Sequence, residues 1–140
     1  MRLLWIFILI SCTLLSCSKD EGGRIPDAYV NFQITHQEFS IKTASTNGLL
    51  LVNRNAGGGV AGLIIYKGSY NSYVAFDRCS SVNPEQACAV VPDDLNLTAT
   101  DPCSGAKFSL TDGSPVKAPA KRGLKEYRVI ITNFGLTVTN

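Results

Sequence analysis

Beyond Pro26 this chain never sustains the 3.6-residue apolar repeat of a helix; it offers short apolar runs cut at regular intervals by turn residues. Tyr29 to Ile34 alternates polar and apolar residues with a period of two, Leu49 to Val52 is a short apolar run, and Val60 to Tyr66 reads as a strongly buried strand. Lys67-Gly68-Ser69 begins a turn that returns Tyr73 to Phe76 as a hairpin partner. Ala89 to Val91 and Leu97 to Ala99 flank the turn signature Pro92-Asp93-Asp94. Lys107 to Leu110 ends at Asp112-Gly113, and Tyr127 to Ile131 turns at Asn133-Phe134-Gly135 into Leu136 to Val138. The pattern predicts an all-β fold, a small antiparallel sandwich or barrel. Gly57-Gly58-Gly59 lacks a following Lys-Ser/Thr and opens no helix, so it is not a phosphate-binding loop.

The N-terminus has a separate logic. Met1-Arg2 precedes an apolar run from Leu3 to Leu15, shorter than the roughly 20 residues a membrane span takes, and Ser16 stands directly before Cys17. A small residue before a cysteine at this point resembles the lipobox of bacterial lipoprotein signal peptides. That resemblance implies removal of residues 1–16 and acylation of Cys17. Residues 17–27 then form a lipidated tether and residues 28–140 one compact β domain. The polar stretch from Ser18 to Arg24 resembles the acidic tags of some outer-membrane lipoproteins, which implies a lipid-anchored place on a bacterial outer membrane, on its periplasmic or cell-surface face.

A formal net charge of +2 gives no basis for a nucleic-acid groove or a polybasic membrane patch. The basic residues Lys117, Lys121, Arg122, Lys125 and Arg128 alternate with apolar and turn residues and read as a solvated face. Cys12 leaves with the signal peptide and Cys17 carries lipid, so Cys79, Cys88 and Cys103 remain for the domain. Outside the cytoplasm the default is one disulfide and one unpaired thiol. The single histidine, His36, lies in a polar, strand-like stretch and reads as a surface residue. No nucleophile, base or paired carboxylate stands in a recognisable frame, and Asp93-Asp94 read as turn residues. The sequence therefore gives no expectation of an enzyme.

The second half carries one ordered pattern. Tyr73-Val74-Ala75-Phe76-Asp77-Arg78-Cys79 is followed by a long loop, then by Asp101-Pro102-Cys103-Ser104-Gly105-Ala106-Lys107-Phe108. Asp112-Gly113, Ala118-Pro119-Ala120 and Leu124-Lys125-Glu126-Tyr127 come next. This resembles a Rieske ferredoxin domain, whose cluster-binding half runs C-x-H, a loop, C-P-x-H-G-[SA]-x-F, a turn with glycine, G-P-A and P-L-x-x-Y. The likeness spans residues 73–138. Pro102, Gly105, Phe108, Gly113, Pro119, Ala120, Leu124 and Tyr127 fall in register, and Gly123 stands where the family has proline.

The resemblance implies a small antiparallel β sandwich or barrel with a cluster-binding-type subdomain. A Rieske [2Fe–2S] centre takes two cysteine thiolates and two histidine imidazoles. The corresponding positions here are Cys79, Ser81, Asp101 and Ser104, and His36 alone cannot supply two imidazoles. No cofactor is therefore expected. The resemblance also implies a disulfide between the two cluster loops through Cys103; if Val90-Val91 pairs with Leu97-Thr98 around the Pro92 to Asp94 turn, Cys88 comes within bridging distance and is the favoured partner, with Cys79 second. Alternatives are free thiols or a zinc set of Cys79, Cys88, Cys103 and Asp101. The expected function is a membrane-attached binding or structural module with an unidentified protein partner and no nucleic acid. The alternative is an electron-transfer protein that holds [2Fe–2S] through Cys79, Cys103, Asp101 and Ser104.

Overall fold

A computed structural model describes residues 23–140; the expected signal peptide over residues 1–16, the expected lipidation site Cys17 and residues 18–22 lie outside the described part. Ten strands occur among the described residues: β1 (Asn31–Thr35), β2 (Leu49–Val52), β3 (Leu63–Lys67), β4 (Tyr73–Asp77), β5 (Val91–Pro92), β6 (Thr98–Thr100), β7 (Lys107–Ser109), β8 (Pro115–Lys117), β9 (Glu126–Ile131) and β10 (Gly135–Thr139). Two short helices accompany them, α1 (His36–Lys42) and α2 (Arg54–Gly57). The strands form a six-stranded antiparallel sheet, β1-β10-β9-β4-β3-β2, and a four-stranded antiparallel sheet, β5-β6-β7-β8.

β3 explains why the sheets belong to one body. Leu63 and Ile65 enter a core with Val30, Ile34, Phe39, Leu50, Ala75, Tyr127 and Val138. Ile64 points the other way, into a core with Phe76, Val90, Ala99, Phe108, Leu110 and Leu124. A strand buried on both faces needs a continuous apolar run rather than alternation, and Leu63-Ile64-Ile65 supplies one. β4 does the same with Ala75 on one face and Phe76 on the other. The large sheet is therefore a wall with a core on each side.

The six-stranded sheet curls until the segment after α2 meets the chain before β1, where Val30 bridges Gly58 and Gly59 N–H donates to Tyr29 O at 3.1 Å. Gly58 has φ +87°, and a Cβ there would collide with the Tyr29 carbonyl, so this junction requires glycine.

Four expectations are corrected. His36 is the first residue of α1 and not part of a strand: Thr35 caps the helix by accepting from Glu38 N–H at 3.1 Å. Seven residues are too few to display a helical stripe, so the cap carries the signal. Residues 60–62 are not strand either, because the N–H groups of Val60 and Ala61 donate to the Asp77 carboxylate instead of to a ladder. The β5–β6 register also differs, since Val91 pairs with Thr100 and Pro92 with Ala99, in place of Val90-Val91 against Leu97-Thr98. Asn96 adopts φ 54° and Asp93 N–H donates to Thr98 O, so the turn is longer than Pro92 to Asp94. A fourth correction concerns the tether. Residues 23–27 lie against the domain: Ile25 is buried, and Lys125 Nζ bonds Asp27 Oδ1 at 2.5 Å and Pro26 O at 3.1 Å.

One carboxylate ties the small sheet together. Asp93 accepts from Thr98 Oγ1 and Thr100 Oγ1 on β6 and from Lys107 Nζ on β7. Partial burial alone would raise its pKa, but these three donors and the Lys107 charge hold it at about 2, against 3.8 for an ordinary aspartate. Above pH 4 the group is ionised in both folded and unfolded chains and contributes fully. As pH falls through 3.8 toward 2 the unfolded chain takes the proton first and the contribution is lost. Asp93→Ala is expected to lower the melting temperature by a few degrees at pH 7 and by nothing near pH 2, read by circular dichroism melts across that range.

Candidate functional site

The candidate site is built by two loops at one end of the wall. The first follows β4 and holds Cys79, Ser80 and Ser81; the second follows β6 and holds Asp101 to Gly105. Asp77 fixes the first loop. Its buried carboxylate accepts from Val60 N–H at 2.6 Å, Ala61 N–H at 3.1 Å, Cys79 N–H at 2.8 Å and the Tyr127 hydroxyl at 2.8 Å. Burial, then the Asp77 carboxylate, pushes the Tyr127 phenol up, so it stays protonated and donates. Nothing in the local sequence marks this aspartate, because three of its four partners lie 16, 17 and 50 positions away; the only hint is an acid closing a strand that is otherwise apolar.

Each of the four positions corresponding to cluster ligands is engaged within the protein. Cys79 is buried and unpaired, with its Sγ 3.6 Å from both Ser80 O and Pro84 O. Burial, with the Asp77, Asp101 and Glu85 charges, pushes its thiol up to about 11. Ser81 Oγ donates to Arg122 O at 2.7 Å. Asp101 is buried and accepts from Cys103 N–H at 2.8 Å and from Ser104 Oγ. Burial works to raise its pKa, yet the bonds from Ser104, Ser80 and the backbone hold it below the ordinary value. Ser104 thus points its hydroxyl at Asp101, and Gly105 turns the loop with φ +74°.

Cys88 and Cys103 form a disulfide, with Cα atoms 6.4 Å apart. The β5–β6 register, carried three residues beyond Val91 and Thr100, sets residue 88 opposite residue 103, so the observed pairing favours the bond. Ser80 N–H donates to Cys88 O at 2.9 Å, which brings the first loop onto the disulfide.

The donor set does not match a [2Fe–2S] centre of two thiolates and two imidazoles. Three positions offer only oxygen, and His36 lies elsewhere. Its ring centroid is 6.5 Å from that of Tyr73, at the start of β4, whereas Cys79 follows the end of that strand. Six residues of extended chain separate Tyr73 from Cys79, about 20 Å at roughly 3.3 Å per residue. His36 Nε2 bonds Thr132 O at 2.8 Å. For zinc, the ligand atoms of Cys88, Asp101 and Cys103 lie within 4.8 Å of one another, but Cys79 is not among them and the two sulfurs are bonded together.

No protein-family model matches the sequence, and no curated protein matches it. Solved structures do. The cyanobacterial plasma membrane Rieske protein PetC3 from Synechocystis PCC 6803 is similar at 22% identity and a TM-score of 0.55, covering 79% of this chain and 99% of that one. A ferredoxin from Sphingomonas yanoikuyae B1 is similar at 16% identity and a TM-score of 0.39, covering 56% of this chain and 74% of that one. A putative nitrite reductase NADPH small subunit is similar at 12% identity and a TM-score of 0.44, covering 82% of this chain and all of that one. At these identities likeness speaks to architecture alone, and PetC3, at a TM-score of 0.55, carries it. The chain therefore has a Rieske-like all-β fold, with a six-stranded sheet and a smaller sheet that carries half of the loop pair.

Proposed function

We propose that the protein is a lipid-anchored bacterial outer-membrane component whose Rieske-like domain holds no iron–sulfur cluster and serves, without catalysis, as a binding or structural module. The observation that carries this reading is the state of the ligand positions. Ser81, Asp101 and Ser104 spend their oxygens on Arg122 O, Cys103 N–H and one another, while Cys88–Cys103 does covalently what a cluster does by coordination, holding the loops together. Serine and aspartate are hard oxygen donors, poorly suited to a centre that selects thiolate and imidazole. An electron-transfer protein using Cys79, Cys103, Asp101 and Ser104 would need Cys103 released from Cys88. Membrane attachment is supported by the Ser16-Cys17 motif behind an apolar run.

The test is anaerobic purification of the full-length chain from iron-replete cells. A colourless protein without stoichiometric iron or sulfide is expected. Visible iron–sulfur absorption, with iron and sulfide in stoichiometric amounts, overturns the reading.

A further inference from the structure

We infer that the domain stands on the bilayer with its disulfide-linked loops toward the phospholipid headgroups and the β3–β4 tip toward the aqueous phase. The inference rests on the lipid-anchor reading and adds a direction to it. The strap from Gly23 to Val30 is fixed along its length. Asn140 bonds both Val30 N–H and Ala28 O, Lys125 holds Asp27 and Pro26 O, and Ile25 is buried. It delivers Gly23 to the first loop, where a Cβ on Gly23 would collide with the Pro84 ring. The chain thus leaves the described domain beside the Cys79–Cys88 loop. Cys17 is six residues further back, so the acylated residue lies within about 20 Å of that exit.

The chemistry of this end suits a headgroup layer. Arg24, exposed on the strap, and Arg122, whose carbonyl accepts from Ser81 of the first loop, border one groove that Gly23, Asp27 and Lys125 also line. The opposite end is built differently. β4 runs antiparallel to both β3 and β9, so the β3–β4 tip and the β9–β10 turn share the far end of the wall. Tyr70 there is fully exposed and Phe134 is 85% exposed, so contact through these aromatic tips is the opposite orientation that the experiment separates from this one.

The experiment is hydrogen exchange on the mature acylated protein, residues 17–140, in vesicles of phosphatidylethanolamine and phosphatidylglycerol, compared with the same residues carrying Cys17→Ala free in solution. Loss of deuterium uptake over residues 80–87 and 101–105, with uptake over 69–72 and 132–134 unchanged, is the expected result. Flotation with the vesicles but equal uptake at both ends, or protection at residues 69–72 instead, overturns the orientation alone. Failure of the protein recovered from bacteria expressing the full chain to carry lipid and float overturns the lipid anchor, and the orientation falls with it.

Discussion

Asp77→Ala is expected to destabilise the domain by about 3–5 kcal/mol, the largest effect of any single polar substitution described. The carboxylate is buried and accepts four hydrogen bonds, three from backbone N–H groups and one from Tyr127. Alanine leaves those donors facing a cavity, at about 1–3 kcal/mol for each one that finds no water. The loss corresponds to a melting temperature lower by about 10–20 °C for a domain of this size. Asp77→Asn is the informative companion. It keeps one acceptor oxygen but turns an NH2 group toward backbone donors, so about half the loss is expected. Urea unfolding checks both, with the midpoint lowered and the slope unchanged. A midpoint within error of the wild type for Asp77→Ala would mean that the network does not hold the first loop.

The second large effect is covalent. Cys88 and Cys103 are 15 residues apart, and closing a loop of that length restricts the unfolded chain by about 3 kcal/mol. Cys88→Ser with Cys103→Ser is expected to melt about 10 °C below the wild type. Wild type treated with a phosphine reductant should coincide with the double variant. Cys79 cannot compensate, because its thiol is buried and held protonated. Equal melting temperatures with and without reductant would show that the Asp101 hydrogen bonds alone hold the second loop.

Much of the fold was legible in residue order. Val60 to Tyr66 reads as a buried strand, of which the structure keeps Leu63 to Tyr66, and Lys67-Gly68-Ser69 and Asn133-Phe134-Gly135 mark hairpins that the structure contains. α1 was hidden because seven residues cannot show a period; Thr35 followed three residues later by Glu38 was its only mark. The β5–β6 register was hidden because it is set by the Asp93 contacts with Thr98, Thr100 and Lys107 and not by the turn residues. At the candidate site, residues 79, 81, 101 and 104 could be located through the family pattern. Their partners could not: Arg122 O for Ser81 and Pro84 O for Cys79 come from loops whose approach depends on tertiary packing. Asp77 is illegible for the same reason, since three of its four bonds come from residues 16, 17 and 50 positions away.

The strand with a core on either side has one more consequence, concerning the chain before it folds. Leu63 to Tyr66 is uncharged, β-branched or aromatic at three of its four positions, and free of proline, the composition of a segment prone to cross-β association. In the native sheet β2 and β4 occupy both of its edges, and the flanking Gly62 and Lys67 are the only local gatekeepers. Destabilised forms such as Asp77→Ala therefore release a sticky strand along with their stability. Their failure will show as precipitation and poor recovery as much as a shifted melting curve.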